Sequence, residues 1–197
     1  MRWGSEIADT LVQVSGVLES LPPDRWNEQS LCELWRVRDV AGHLVWRLGS
    51  STAELLRSAA GAVLADPGRN PMSAIGDVSV AAASADPAEL VRRLRRIAAL
   101  KLGGNGRTGV SELAEAVVHG YDIANPLGIR MQLEPRVTEA VARSRLPLLP
   151  LSARIVVARR SLVAIDAGWS VGTGPAIEGS AEAIVLYLFG RKPRSGN

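Results

Sequence analysis

The sequence predicts a mainly α-helical protein, a four-helix bundle carrying a small C-terminal α/β appendage. Hydrophobic residues make up 47% of its 197 residues, enough for a full core in one domain. Aromatic residues are only 4% of the chain, five of them Trp, while Ala, Leu and Val dominate, which favours packed helices over a sandwich. Apolar residues also recur at helical spacing in four stretches separated by Pro and Gly.

The first helix is predicted from Ser5 to Glu19, where Ile7, Leu11, Val14 and Leu18 form one apolar stripe. Pro22-Pro23-Asp24 ends it, and an irregular stretch carrying Trp26 and Cys32 follows. The second helix is expected from Val37 to about Ala62, with Val40, His43, Leu44, Arg47 and Leu55 near its inward side. Residues 66 to 85, with Asp66-Pro-Gly, Asn70-Pro and Gly76, read as a long loop. Asp86 then caps a third helix with Pro87 in its first position, closed by Gly103-Gly104. Gly103-Gly-Asn-Gly106 lacks the spacing and the Lys-Ser/Thr of a phosphate-binding loop, so it reads as a helix-closing turn. The fourth helix spans Ser111 to Ala124 and stops before Asn125-Pro126.

The C-terminal third changes character. A helix begins at Pro135 and is interrupted by Pro147 and Pro150. Ser161 to Asp166 is β-like, Trp169 to Pro175 reads as a strand entering a turn, and Ser180 caps a last helix, Ala181 to Phe189. The expected division is a metal-binding bundle over 1–134 and a small segment over 135–197. The latter is too short to stand alone and is expected to dock on the bundle.

The formal charge is +3 and the isoelectric point is near 9.6. Arg92-Arg93, Arg95-Arg96, Arg159-Arg160 and the run Arg191-Lys192-Pro193-Arg194 carry the basic character. The first of these groups interleaves with Leu90, Leu94 and Ile97, as on the wet face of an amphipathic helix. With no recognised binding motif beside the charge, nucleic acid is not an expected partner. No run approaches the length of a membrane span, and the N-terminus has no apolar signal core, so a soluble, cytoplasmic protein with no membrane partner is expected. The lone Cys32 forms no internal disulfide, which suits a reducing compartment.

The chain has two histidines. His119 follows Glu115 by four residues, so on a helix both side chains share one face. His43, on the earlier helix, is placed to supply a third ligand across a helix–helix seam. Two imidazoles and a carboxylate, with positions left for water or substrate, suit a catalytic zinc better than a structural one. Taken singly, each residue also has an ordinary reading: a His on an apolar face is commonly a satisfied interior residue, and Glu–His at this spacing is frequent on solvated helices. Glu115, however, lies among Leu113, Ala116, Val117 and Val118. A buried carboxylate there requires a cation or a hydrogen-bonding partner. Glu112 is a less well-placed substitute ligand. Asp122 suits either a hydrogen bond to a ligand His or a tie from the helix end to a neighbour. Arg47 suits an ion pair or an anionic substrate, and Trp35 and Trp46 suit the core or a pocket wall.

The run Cys32-Glu-Leu-Trp35-Arg-Val-Arg-Asp39-Val-Ala-Gly-His43-Leu resembles the first signature of the mycothiol-dependent maleylpyruvate isomerase family, within the DinB-like metalloenzyme superfamily. Glu115-Ala-Val-Val-His119-Gly-Tyr-Asp122-Ile-Ala resembles its second, and Asp166 to Pro175 with Leu188-Phe-Gly-Arg191 resembles the end of its C-terminal segment. The resemblance implies a DinB-like bundle in which His43, Glu115 and His119 bind a divalent metal, normally zinc. It also implies mycothiol, a small thiol, as cofactor. Arg191 is the positional match to an arginine that holds the substrate carboxylate. The C-terminal segment reads as much shorter than the isomerase's, which separates the chain from maleylpyruvate itself.

The expected function is therefore that of a zinc-dependent enzyme using mycothiol for isomerisation or S-transfer on a small electrophile. Zinc coordination converts a thiol into a thiolate at neutral pH. Thiolate addition to an activated double bond, rotation and departure is cis–trans isomerisation, and retention of the sulfur is S-transfer. The alternatives are a metal-dependent hydrolase and a non-catalytic ligand- or protein-binding module on the same bundle.

Overall fold

The computed structural model describes residues 2–65 and 78–192. Helix α1 (Gly4–Glu19) is followed by a 3-10 turn at Arg25–Asn27, and α2 (Val37–Gly49) by α3 (Thr52–Ala65). A helical segment over 78–83, α4, leads to α5 (Pro87–Leu102) and α6 (Val110–Ala124). Helix α1 packs against α5 and α6, and α2 packs against the same two, so α1, α5, α2 and α6 close a four-helix bundle. Its centre is built from Ile7, Leu11, Leu44, Leu90, Leu94 and Leu113, all fully buried; each such side chain is worth about 1.5–3 kcal/mol of burial.

Two expectations need correction. The long second helix is two helices, because the backbone at Ser50 is extended (φ −81°, ψ 146°). Ser51 and Glu54 then start α3 reciprocally. The Ser51 N–H donates to Glu54 Oε2 at 2.7 Å, and the Glu54 N–H donates to Ser51 Oγ at 3.3 Å, which satisfies two helix-end donors at once. Leu55 thus belongs to a separate helix and is half-buried rather than inward. The loop expected over 66–85 is also not all loop. Residues 78–83 are helical, while Asp66-Pro-Gly, Asn70-Pro and Gly76 lie outside the described residues.

The remaining boundaries follow local chemistry. Asp86 Oδ1 accepts from the Ala88 N–H at 2.8 Å, ahead of Pro87. The left-handed Gly104 (φ 73°) follows the end of α5. Beyond the bundle, α7 (Pro135–Arg145) packs on α6, and a 3-10 turn at Leu146–Leu148 leads to α8 (Leu151–Arg159).

Strand β1 (Ser161–Ala164) then pairs antiparallel with β2 (Trp169–Gly172), Ser161 opposite Gly172. A third strand the sequence did not announce, β3 (Ala176–Gly179), pairs parallel with β1 on its other edge. The chain passes from β2 to β3 through Gly172-Thr-Gly174, with φ of 93° and 99° at the two glycines. A Cβ at either glycine would collide with the carbonyls of Arg160 and Arg159, so only glycine makes the crossing.

The last helix, α9 (Ala181–Leu188), packs on α7, β1 and α6. Trp169 Nε1 joins β2 to Thr138 Oγ1 of α7 at 2.9 Å, the Ala181 N–H joins the start of α9 to Asp166 Oδ1 at 2.7 Å, and Asn125 Nδ2 joins the end of α6 to Glu182 Oε1 of α9 at 2.8 Å. The consequence is positional: Arg191, just past α9, reaches the C-terminal end of α6. Among the described residues no helix is long and apolar enough to cross a membrane.

Candidate metal centre

Helices α2 and α6 face each other, with His43 on one and Glu115 and His119 one turn apart on the other. His43 Nε2 and His119 Nε2 each lie 3.3 Å from Glu115 Oε2. The two imidazole centroids are 4.6 Å apart, and the three ligand-type atoms all lie within 4.8 Å of one another. A tetrahedral zinc with bonds of about 2.0–2.1 Å sets its ligand atoms about 3.3 Å apart. The two His–Glu separations match that edge, so the residues present fit such an ion.

The other imidazole nitrogens are also held. His119 Nδ1 is 2.9 Å from Asp122 Oδ2; an ionised carboxylate only accepts, so Nδ1 carries the proton and Nε2 is turned toward the cluster. Asp122 is fully buried and takes a fork from Arg191, Nε to Oδ1 and Nη2 to Oδ2, both at 2.9 Å. Both readings left open for Asp122 are observed: it accepts from His119, and through Arg191 it ties the end of α6 to the segment after α9.

His43 Nδ1 is 3.0 Å from Ser79 Oγ. Ser79 was missed because it lay within the predicted loop. Gly42 gave the available signal. A Cβ there would stand 2.5 Å from Ala83 N and 2.6 Å from Ser79 O, so glycine beside the histidine lets α4 approach α2 closely. Arg38 secures the same contact by donating from Nη2 to the Ala83 carbonyl at 2.8 Å.

The loop before α2 covers the site. Its Leu31 N–H donates to the Asp122 carbonyl at 3.0 Å, and the Asp39 carboxylate accepts from the Arg36 N–H at 2.9 Å to start α2. Trp35 stands 4.7 Å from the His43 ring and 5.8 Å from the His119 ring, and Trp46 is 5.8 Å from His43. Both indoles therefore wall the imidazoles instead of serving only the core.

Glu115 is half-buried, its side chain 26% exposed, less enclosed than the buried carboxylate expected. Its outer oxygen, Oε1, accepts from Arg47 Nε at 3.2 Å. Burial alone would raise the Glu115 carboxyl, but hydrogen bonds from His119 and His43 outweigh it and hold the group well below the carboxylate range. Burial lowers His43. Burial opposes charge on His119 too, yet Asp122 and Glu115 raise it. For Asp122, burial is outweighed by His119 and Arg191, which depress its pKa. The cluster thus favours ionised carboxylates facing two imidazoles.

Glu112, the substitute ligand, is already engaged. It accepts from the Gly109 N–H at 3.1 Å, from Arg107 Nη1 at 3.0 Å and from Arg47 Nη1 at 3.5 Å. Cys32 is half-buried, and burial pushes its thiol up, away from thiolate character.

Two imidazoles and one partly open carboxylate thus converge at a single point of a helical bundle, an arrangement that could hold a divalent ion. Residues 7–103 match the family described as "Mycothiol maleylpyruvate isomerase N-terminal domain". The crystal structure of the mycothiol-dependent maleylpyruvate isomerase is similar at a TM-score of 0.55 and 15% identity, over 98% of this chain and 90% of that one. A histidine-to-alanine mutant of that isomerase gives 0.54 and 14%, over 96% and 88%. At these identities the likeness speaks for the fold. No curated protein matches the sequence.

Proposed function

We propose that the protein is a mycothiol-dependent isomerase acting on a small electrophile, with His43, Glu115 and His119 holding a divalent ion, zinc by preference. The observation that carries this reading is the convergence of both Nε2 atoms on one Glu115 oxygen, in a chain whose residues 7–103 match the family described as a mycothiol maleylpyruvate isomerase N-terminal domain. A zinc ion bound there would supply the Lewis acidity that keeps a thiol ionised at neutral pH. Mycothiol would supply the nucleophilic sulfur. Addition to an activated double bond and later departure gives isomerisation, and retention of the sulfur gives S-transfer.

The chain's own residues do the positioning. Asp122 and Ser79 fix the imidazoles with their Nε2 atoms inward. Trp35 stands against both rings, and Glu115 is the most exposed of the three side chains. Arg191, 22% exposed, spends Nε and Nη2 on Asp122. Its third nitrogen, Nη1, makes only a long 3.4 Å contact with the Phe189 carbonyl and is the atom we assign to a substrate carboxylate.

The test is a panel of small electrophilic enoates, assayed with and without mycothiol on zinc-loaded protein. Turnover that needs mycothiol and saturates with it is expected. Turnover indifferent to the thiol would overturn the assignment in favour of another metal-dependent reaction.

A further inference from the structure

The face of Glu115 turned away from the imidazoles is built as carefully as the face turned toward them. Arg47, one turn after His43 on α2, donates Nε to Glu115 Oε1 at 3.2 Å. The guanidinium does not reach that oxygen by itself. Its Nη1 lies 3.5 Å from Glu112 Oε1 and its Nη2 lies 3.4 Å from Ser111 Oγ. The Arg47 backbone carbonyl accepts from Arg107 Nη2. Arg107 in turn pairs with Glu112 at 3.0 Å, and the buried Lys101 donates to the Arg107 carbonyl at 2.8 Å. The Arg47 side chain is 18% exposed. It is a braced guanidinium, not a loose surface ion pair.

A free carboxylate beside a divalent ion offers two oxygens, and using both fills two coordination positions. Here the two oxygens have different partners: Oε2 faces both imidazoles and Oε1 faces Arg47. We infer that Arg47 is a positioning residue that limits Glu115 to one ion-facing oxygen, so that a coordination position stays open for the incoming thiol. This rests on the metal-binding reading proposed above. It assigns Arg47 to the ligand Glu115 and not to the substrate.

Metal affinity alone does not decide the matter. Removing a neighbouring cation would tighten binding of a divalent ion through simple electrostatics, whatever happens to the carboxylate. Coordination number is the informative readout. Cobalt(II)-loaded wild type, Arg47→Met and Arg47→Lys would be compared by visible absorption, whose d–d bands weaken as coordination number rises. Mycothiol would then be titrated against the sulfur-to-cobalt charge-transfer band.

Weaker d–d bands in Arg47→Met are expected, with half-saturation by mycothiol shifted about tenfold upward. Arg47→Lys should recover part of both, since it restores a donor to Oε1. Arg47→Met with wild-type bands and wild-type thiol saturation would overturn the inference. Should Arg47→Met not fold, X-ray absorption on zinc-loaded wild type decides the point. Four-coordinate zinc with a single carboxylate oxygen supports the inference, and two carboxylate oxygens overturn it. Failure of the underlying reading looks different: wild type and His119→Ala would show the same cobalt spectrum.

Discussion

Asp122 joins the loop before α2 and the segment after α9 to the candidate centre. Its side chain receives His119 Nδ1 and the Arg191 fork, while its carbonyl receives the Leu31 N–H. Asp122→Asn removes the charge that orients His119 and opposes Arg191. Metal affinity should fall about 10–100-fold, measured by competition with a chromophoric chelator. Unchanged affinity would show that His119 is held some other way. Cys32 offers the complementary test. Its thiol is half-buried and pushed up, so Cys32→Ala should leave thiol-dependent turnover within about twofold. Abolished turnover would place the nucleophile in the chain itself. At this scale the sequence was legible where chemistry is local: the Glu115/His119 spacing and the two histidines identified the cluster. Ser79 was not legible, because a serine in a Pro/Gly-rich stretch has no spacing relation to His43 and meets it only through packing.

The four bundle helices could be read from apolar periodicity and end signals, and Asp86-Pro87 and Gly103-Gly104 bound α5 as expected. Two features escaped. The α2–α3 break depends on the Ser51–Glu54 reciprocal cap, a pattern that apolar periodicity running on through the stretch obscured. β3 is short and mostly exposed, so it has neither alternation nor an apolar run to announce it. The close α2–α4 approach gives an element-level test. Gly42→Ala places a methyl against backbone atoms of Ala83 and Ser79, which cannot yield as a side-chain tip would. A loss of about 1–3 kcal/mol is expected, measured by urea denaturation. Metal affinity should drop with it, as Ser79 is displaced from His43. Full stability in Gly42→Ala would mean that α4 can move away without cost.

For the whole molecule, the bundle core is independent of the candidate centre: Ile7, Leu11, Leu90 and Leu94 are fully buried on helices α1 and α5, which carry none of the three ligands. Chelation should therefore lower the melting temperature without unfolding the protein. At a free-ion concentration 100-fold above the dissociation constant, the bound ion adds about 2.7 kcal/mol, or roughly 5–10 °C for a chain of this size. Collapse of the helical circular dichroism signal in chelator would instead mark a structural metal. The centre itself is tested most directly by elemental analysis of wild type and His119→Ala, both purified without added metal. One divalent ion per wild-type chain, zinc foremost, and substantially less in His119→Ala is the expected result. Equal metal in the two proteins, or none in the wild type, would contradict the assignment of His43, Glu115 and His119.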